Sequence, residues 1–283
     1  MLSGLRFSLV GPGRVGESVA GWAVAAGGEL VAAVGRSGVA GFGSGGQDLL
    51  LIAVPDGVLA EVAERLATRA QAAVALHTSG SRDAAVLAPL RAAGSSAGTL
   101  HPLKAFPRVL SAPAEARGVF FALDGEPAAQ ALARRLVAAW GGVAGEVPPP
   151  ARPLYHFAAT LAAGGVATLL ATAADLAARA GLPPEVASGY LELSRGTVAA
   201  AIASSPGAPG PAAALAAITG PVARGDLATV QSHFEALSAA DPERLDLARE
   251  LARETLRQVA IVQEPTPGHQ ALLAWLDQQQ PHG

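Results

Sequence analysis

The chain has 283 residues, which is enough for two domains and a sizeable core. Its net charge of −3 gives no basic surface for nucleic acid, and the absence of cysteine excludes disulfides, thiolate zinc sites and cysteine nucleophiles. No secretory signal pattern precedes the first strand pattern, so the expected location is the cytoplasm.

The first motif along the chain is a glycine-rich turn between a strand pattern over Leu5–Val10 and a helical pattern over Glu17–Ala26. In such a turn the first glycine permits a tight bend, the second admits a pyrophosphate, and the third lets the helix pack on the strand. The N–H groups at the helix start then face the anion. The motif predicts a dinucleotide site formed by Gly11, Pro12, Gly13, Arg14, Val15 and Gly16.

The end of the next predicted strand, Glu29–Val34, bears on the choice of cofactor. An NAD-binding unit places a carboxylate near this point to hold the ribose 2′-hydroxyl, whereas this chain has Arg36 and Ser37. A guanidinium fits a 2′-phosphate, and the serine adds a hydroxyl donor. We therefore expect NADP(H), with Arg36 and Ser37 as contacts. The alternative is that Arg36 is only a solvated residue at the strand end.

The pattern up to residue 147 alternates between strands and helices. The further predicted strands are Asp48–Val54, Ala72–Leu76, Gly118–Leu123 and Gly142–Val147, and the predicted helices are Val58–Arg69, Ala84–Ala93 and Pro127–Trp140. The link Ser37–Gly46 is too short to hold another strand and helix. This alternation predicts an α/β fold with a mostly parallel Rossmann-type sheet. The proline run Pro148–Pro150 predicts a boundary between residues 1–149 and an all-helical domain over 150–283.

The second half shows only helical patterns. The predicted helices are Leu154–Ala180, Pro184–Ala203, Ala212–Ile218, Asp226–Ala239, Asp241–Val262 and Gln270–Gln279. The stretch Phe157–Ala174 has no charge and is long enough to cross a membrane. Because it consists mostly of Ala, Gly and Thr, and lacks a basic flank, we expect a helix buried in the protein instead.

Several polar residues follow the predicted strands, where ligands bind in open parallel sheets. The expected cofactor contacts at these ends are Val54, Pro55, His77, Thr78 and Ser79. Each has a structural alternative: His77 could satisfy backbone groups in its own loop, and Thr78 and Ser79 are common turn formers. Asp56, beside Pro55, is more typical of a helix cap than of a base.

Three residues are candidates for proton transfer. His101 follows an apolar run, and a histidine there can give or take a proton. Lys104 is the only lysine of the chain, and lysine, unlike arginine, can lose its proton. The alternative is that Lys104 is an incidental lysine and that His101 caps a turn beside Pro102. His156 opens the long helix and is the third candidate, with a structural role as its alternative.

A further polar cluster lies in the second half. Arg224 is a candidate ligand for a substrate anion, and Asp226 and His233 complete the predicted substrate site. Arg224 and Asp226 could equally form a structural ion pair, and Asp226 could cap the following helix. No His, Asp and Glu spacing indicates a metal site.

The whole chain resembles Rossmann-like proteins with a C-terminal helical domain of unknown function, in the group around 6-phosphogluconate dehydrogenase, ketopantoate reductase and pyrroline-5-carboxylate reductase. The motifs that carry the resemblance are Leu9–Gly16, His77–Gly80, His101–Phe106, Tyr155-His156 with Ala158-Ala159, and Thr219–Asp226 with Thr229, Val230 and His233. Where the family pattern has Ser-Asn in the long helix, this chain has Gly164-Gly165. The amide side chain of that asparagine is therefore missing here.

The resemblance implies an NADP(H)-dependent oxidoreductase acting on a small molecule in the cleft between the domains. It also implies a homodimer paired through the helical domain. Two alternatives stay open: a sensor that binds NADP(H) without chemistry, and a reductase whose second substrate is a deazaflavin cofactor. Nucleic acid and membrane are not expected partners.

Overall fold

The computed structural model describes residues 1–35, 38, 46–69, 72–106, 110–203 and 217–279. The chain folds into two units, Met1–Gly164 and Gly165–Gly283. The first unit is built on a seven-stranded sheet and the second is helical, which confirms the predicted fold class.

The sheet has the strand order β2-β1-β3-β4-β5-β6-β7. Its strands are β1 (Arg6–Val10), β2 (Glu29–Val34), β3 (Gln47–Ile52), β4 (Ala72–His77), β5 (Ser96–Pro102), β6 (Phe120–Gly125) and β7 (Val143–Glu146). Leu49–Ile52 is buried on both faces of the sheet, which explains its continuous apolar run. Strands β1 to β5 run parallel to one another, so their carboxyl ends lie along one edge.

Two features of the sheet were not predicted. Strand β5 covers seven residues, although the sequence showed only the short apolar run before His101. Strand β6 pairs antiparallel with β5, because the connection from Pro102 returns to the same edge with only the short 3₁₀ turn Pro113–Ala116, and no α-helix, among its described residues. The predicted contact Arg36 and most of the link Ser37–Gly46, including the predicted contact Ser37, lie outside the described residues.

Four helices cover the two faces of the sheet. They are α1 (Arg14–Ala25), α2 (Leu59–Ala67), α3 (Ala88–Ala92) and α4 (Pro127–Trp140). On one face Trp22 packs at 5.8 Å from Trp140 and 6.3 Å from Phe121, ring centroid to ring centroid. The indole N–H of Trp22 donates to the carbonyl oxygen of Ser111 at 3.0 Å, so this buried polar group is satisfied. This packing fixes α1, and with it the glycine-rich turn, on the sheet.

A long helix follows β7. It consists of α5 (Arg152–Thr160), a π-helical turn over Leu161–Gly165, and α6 (Val166–Arg179). Arg152 is buried against the sheet, where its guanidinium donates to Thr99 Oγ1 and lies 3.9 Å from Asp124 Oδ2. This anchor assigns α5 to the first unit. The two units divide after Gly164, whereas the sequence placed the boundary after residue 149.

The expectation that Phe157–Ala174 is buried is wrong for the single chain. Residues Pro149–Arg179 form the one helix among the described residues that is long and apolar enough to cross a membrane, with a mean hydropathy of 1.7 in its most apolar window. None of that window is buried. Phe157 is 58% exposed and Leu161 is 55% exposed. Alanine and glycine bury little apolar surface, so this helix gains little free energy from packing on the rest of the chain. Its few larger side chains therefore stay exposed.

Every described element after α6 is a helix. These are α7 (Glu185–Ala203), α8 (Pro221–Arg224), α9 (Leu227–Ala240), α10 (Leu245–Val262) and α11 (Pro267–Gln278). The core of the last four contains Val230, Leu256 and Leu272. Asp226 caps α9 by accepting from Thr229 N at 3.1 Å, as predicted from the sequence. The short helix α8 was not predicted, and most of the predicted helix Ala212–Ile218 lies outside the described residues.

Candidate nucleotide-binding and active site

The glycine-rich turn has the geometry that a dinucleotide requires. Gly11 has a φ of +92°, and a Cβ there would lie 2.5 Å from the carbonyl oxygen of Ala53. A Cβ on Gly16 would collide with the carbonyl oxygen of Gly11 and lie 3.1 Å from Leu9 Cδ1. For Gly13, in contrast, no atom of the described residues lies within 4 Å of the position of a Cβ. The first and third glycines therefore allow close packing, and the second leaves open space over the turn.

Helix α1 begins directly at this open space. Its N-cap is Gly13, which offers no side-chain acceptor, so the N–H groups of the first turn keep their capacity for an external anion. Pro12 and Arg14 flank the N-cap and are exposed, whereas Val15 packs partly against the core. The residues present therefore fit a dinucleotide pyrophosphate.

The strand register places the predicted cofactor contacts on the same edge. Val10 at the end of β1 pairs with Ile52 of β3, and Ile52 pairs with His77 of β4. Val54 and Pro55 follow β3, and Thr78 donates its N–H to the carbonyl oxygen of Ile52 at 3.0 Å. A dinucleotide that starts at the glycine turn and crosses this edge would meet these loops.

Asp56 is held by hydroxyl groups of the next loop. Its carboxylate accepts from Ser81 Oγ, and Ser79 also bonds to it. Burial raises the pKa of Asp56, but the hydrogen bonds from Ser81 and Ser79 and the neighbouring His156 and His77 bring the pKa below its usual value. Asp56 is therefore a carboxylate that ties the loop after β3 to the loop after β4.

His77 is fully buried and bonds within its own loop. Its Nδ1 accepts from the N–H of Ser79 at 3.2 Å, so the proton resides on Nε2, which lies 3.0 Å from the carbonyl oxygen of Asp83. Burial lowers the pKa of His77 to about 4. These contacts favour the structural alternative for His77, in which it orders the loop after β4. Ser79 Oγ adds to this order by accepting from the N–H of Arg82 at 3.0 Å.

His101 lies near the end of β5 and contacts a tyrosine from α5. Its Nδ1 is 2.8 Å from the hydroxyl oxygen of Tyr155, and the two rings meet edge to face at 5.6 Å. His156 lies beside it, with ring centroids 6.1 Å apart. Burial lowers the pKa of His101 to about 4, and the nearby His156 and Arg152 act in the same direction. His101 is therefore neutral at pH 7.

A cavity of about 810 Å³ opens beside these side chains, entirely within the first unit. Its polar lining comes from His101, Lys104, Tyr155, His156 and Thr160, and its apolar lining includes Leu103, Ala159, Ala163 and Gly164. The π-helical turn forms part of the wall, and such turns recur at functional sites. The structure thus brings together His101, Lys104 and His156, the three residues predicted for proton transfer.

Lys104 is paired at the edge of this cavity. Its Nζ lies 3.1 Å from Glu115 Oε2. The Glu115 side chain is about half exposed, and its other oxygen accepts from the N–H of Ala112 at 3.0 Å. The ammonium group therefore has a carboxylate partner of its own.

Tyr155 and Arg152 were missed as site residues. Tyr155 belonged to a motif of the resemblance without a role of its own, and no local pattern marks an arginine after a proline run as buried. Burial raises the pKa of Tyr155 to about 12, although the positive charge of Arg152 acts to lower it. Nε and Nη1 of Arg152 are buried and have no hydrogen-bond partner among the described residues, although Asp124 lies within ion-pair range.

The predicted substrate ligands belong to the second unit. The Asp226 carboxylate accepts from Thr229 Oγ1 at 2.7 Å as well as from the Thr229 N–H, so it is engaged as a helix cap. Arg224 ends α8, and His233 lies in α9. His269, to which the sequence gave no role, is buried and lies 2.9 Å from the carbonyl oxygen of Ala223 through Nε2. The use of Arg224 and His233 as substrate ligands stays a prediction.

Comparison with known proteins gives two family matches. Residues 39–102 match a Rossmann-like domain, and residues 119–255 match a domain of unknown function, DUF2520. The chain thus combines a Rossmann-like domain with a DUF2520 domain. The DUF2520 match begins at β6, so Tyr155 and His156 fall in it, whereas His101 falls in the Rossmann-like match. The hydrogen bond between Tyr155 and His101 therefore joins the two matched regions.

Solved structures share the fold over nearly the whole chain. A putative NADP oxidoreductase from Bacteroides fragilis covers 89% of this chain and 97% of its own, with 18% identity and a TM-score of 0.71. Protein TM1727 from Thermotoga maritima covers 90% and 98%, with 20% identity and a TM-score of 0.67. An imine reductase from Myxococcus stipitatus in complex with NADP+ covers 89% and 94%, with 15% identity and a TM-score of 0.53. No curated protein matches the chain.

Two histidines of the first unit, the buried His77 and the half-buried His101, make its stability pH-dependent. Both have a pKa of about 4 in the folded chain, against about 6.5 for an unfolded histidine. The unfolded state therefore binds more protons between these values, and folding stability is complete above pH 6.5 and falls as the pH drops towards 4. From about pH 7.5 to about pH 5 each histidine should remove about 2 kcal/mol.

Urea unfolding of a Trp275→Phe variant measures this effect, because Trp22 and Trp140 then report only on the first unit. A His77→Gln variant should lose about half of the pH dependence. Equal stability at both pH values would show that these histidines are not held neutral.

Proposed function

We propose that this protein is an NADP(H)-dependent oxidoreductase that transfers a hydride to or from a small carbonyl compound or imine. The observation that carries the proposal is the arrangement along one edge of the sheet. An open glycine turn at the start of α1 fits a pyrophosphate, and a cavity with His101 and Tyr155 lies further along the same edge. The fold shared with an NADP+-bound imine reductase supports the same choice of cofactor.

The reaction divides between the cofactor and this chain. A reduced nicotinamide, when bound, supplies the hydride. The acceptor oxygen or nitrogen then needs a proton, and the residues that can supply one around the cavity are His101, Tyr155, His156 and Lys104. The wall of alanines and Gly164 leaves room for a bulky substituent on the acceptor.

A coupled screen tests the proposal. Small ketones, imines and 2-oxo acids, with a deazaflavin as an alternative acceptor, would be mixed with NADPH and followed by the loss of NADPH absorbance. Turnover of a carbonyl or imine supports the proposal, and turnover of the deazaflavin alone supports the alternative acceptor. Tight NADPH binding without turnover of any acceptor would favour a sensor.

Cofactor choice depends on Arg36 in this proposal. A charge-assisted hydrogen bond to the 2′-phosphate contributes roughly 1.5–3 kcal/mol, so Arg36→Ala should reduce the preference for NADPH over NADH about tenfold or more. Dissociation constants for both cofactors in the wild type and in the variant measure the ratio. Arg14→Ala, which removes an arginine from the glycine turn, serves as the matched control and should weaken both cofactors alike. An unchanged ratio in Arg36→Ala would contradict the assignment.

We further propose a homodimer that covers the exposed face of the long helix. Leu154, Phe157, Leu161 and Leu169 are between 41% and 74% exposed there, and the small residues between them allow a second helix to approach closely. A stable contact would bury more than about 1,000 Å² in total. Light scattering at micromolar concentration should give twice the chain mass, and Leu161→Glu should give the monomer. Val143→Glu, an equally exposed position on edge strand β7, should remain dimeric, and a monomeric wild type would contradict the proposal.

A further inference from the structure

The cavity in the first unit has a polar end and an apolar end. The rings of His101, Tyr155 and His156 form the polar end, because the His101 ring centroid lies 5.6 Å from that of Tyr155 and 6.1 Å from that of His156. The wall that continues along α5 and the π-helical turn is formed by Ala158, Ala159, Thr160, Ala162, Ala163 and Gly164.

Helical geometry separates the two ends. His156, Ala159 and Ala163 are spaced by three and four positions, so they lie on one side of the helix. With a rise of about 1.5 Å per residue, Ala163 lies roughly 10 Å along the axis from His156. Thr160 lies on the same side, but its Oγ1 donates to the carbonyl oxygen of His156 at 3.0 Å, so its hydrogen is not available to a ligand. A ligand that lies along this wall therefore meets polar rings first and methyl groups further on.

The charged side chain at the cavity edge is already paired. Lys104 is the one lysine or arginine among the described lining residues, and its Nζ lies 3.1 Å from Glu115 Oε2. Glu115 is held in place, because its other oxygen accepts from the N–H of Ala112 at 3.0 Å. A ligand carboxylate at Lys104 would lie beside the Glu115 carboxylate, and like charges repel. The described lining therefore favours an uncharged ligand.

His156 is a polar group that is free to bind such a ligand. Its ring is half-buried at the cavity wall, and its ring nitrogens form no hydrogen bond with any of the described residues. An imidazole can donate to a carbonyl oxygen or an imine nitrogen through its N–H group. The polar end can therefore hold one neutral polar atom of a ligand.

We propose that the acceptor is an uncharged ketone or imine with an elongated apolar group. Its polar atom binds at His156, and its apolar group lies along the wall Ala159–Gly164. The inference rests on the proposed reductase function and adds the class of substrate to it. The carbonyl or imine carbon takes the hydride, and its oxygen or nitrogen takes a proton, so the product is an alcohol or an amine. The cavity volume of about 810 Å³ is in the range of sites that enclose ligands of drug size.

Four ketones separate the two features of this acceptor. Acetone and pyruvate are small, benzylacetone and benzylpyruvate carry the same added benzyl group, and each pair differs by a methyl group against a carboxylate. At saturating NADPH, the KM for benzylacetone should be about 30-fold or more below that for acetone, because the benzyl group is buried against the wall. It should be about tenfold or more below that for benzylpyruvate. Equal KM values for benzylacetone and acetone, or a lower KM for benzylpyruvate, would overturn the proposal.

Three variants locate the two ends of the acceptor. Ala163→Leu fills the apolar end and should raise the KM for benzylacetone about tenfold or more, with the KM for acetone within about twofold. His156→Phe keeps a ring but removes both nitrogens, and it should raise the KM for both ketones alike. Ala131→Leu, at an exposed alanine of α4, is the control and should change neither. An unchanged KM for benzylacetone in Ala163→Leu would contradict the position of the apolar group.

Binding without turnover distinguishes this inference from the reductase function. Benzylacetone is titrated into the protein saturated with NADP+, which holds no hydride to transfer, and the ring C–H signals of the six histidines are followed by NMR. The His156 signals are assigned with His156→Phe. Saturable shifts of these signals, weakened in Ala163→Leu, support the ligand class even if NADPH reduces none of the four ketones, an outcome that would refute the reductase function alone. The absence of a shift at His156 would overturn the inference.

Discussion

Gly13→Ala should abolish tight NADPH binding while leaving the protein folded. The position has φ −95° and ψ −174°, which alanine adopts readily, and in the part of the chain that the structure describes nothing lies within 4 Å of the new Cβ. That Cβ would occupy the space through which a pyrophosphate reaches the first N–H groups of α1. The loss of one or two charge-assisted hydrogen bonds should weaken NADPH binding about 100-fold. The free energy of unfolding should change by less than about 1 kcal/mol.

Two other glycines of the same helix region serve as controls. Gly16→Ala should destabilise the fold by about 1–3 kcal/mol as well as weaken binding, since its Cβ collides with the backbone of Gly11. Gly21→Ala meets open space in the middle of α1 and should stabilise the protein by up to about 1 kcal/mol without affecting NADPH. Titration calorimetry and urea unfolding of the three variants give both quantities. Wild-type affinity in Gly13→Ala would show that the turn does not bind the cofactor.

The sequence predicted the glycine turn and the sheet because both depend on local chemistry. A strand buried on both faces requires a continuous apolar run such as Leu49–Ile52, and such a run is visible in a single sequence. The turn requires glycine at positions 11 and 16 because a Cβ there would collide with the backbone, and the spacing of these glycines is equally visible. The helix cap Asp226 was predicted for the same reason, because capping involves only residues three positions apart. Strand β6 was predicted as a strand, but its antiparallel direction was not, because the direction of a strand is set by tertiary pairing.

The candidate site was predicted only in part because its contacts span distant segments. His101 could be singled out at a strand end, but its partner Tyr155 is 54 positions away. The burial of Arg152 depends on Thr99 and Asp124, and no period or motif connects these residues. The exposure of the long helix could not be predicted either. An uncharged run of small residues has the same sequence pattern whether its apolar face is covered by the same chain or left exposed.

Replacing His101 by alanine should have the largest effect on turnover. Removal of a positioned proton donor lowers the rate roughly 10²-fold or more, and the NADPH dissociation constant should stay within about twofold because the glycine turn is untouched. Lys104→Met tests the competing donor. Its ammonium is paired with Glu115 at 3.1 Å, so its loss should lower kcat less than about tenfold.

The two candidates are separated by comparing kcat for both variants with the same acceptor at saturating NADPH. A larger loss in Lys104→Met than in His101→Ala would transfer the role of proton donor to the lysine. Equal and small losses in both would show that the proton comes from elsewhere. A large loss confined to His101→Ala is the expected result, because His101 lines the described cavity with a ring nitrogen 2.8 Å from the hydroxyl oxygen of Tyr155, whereas the Lys104 ammonium is paired with Glu115.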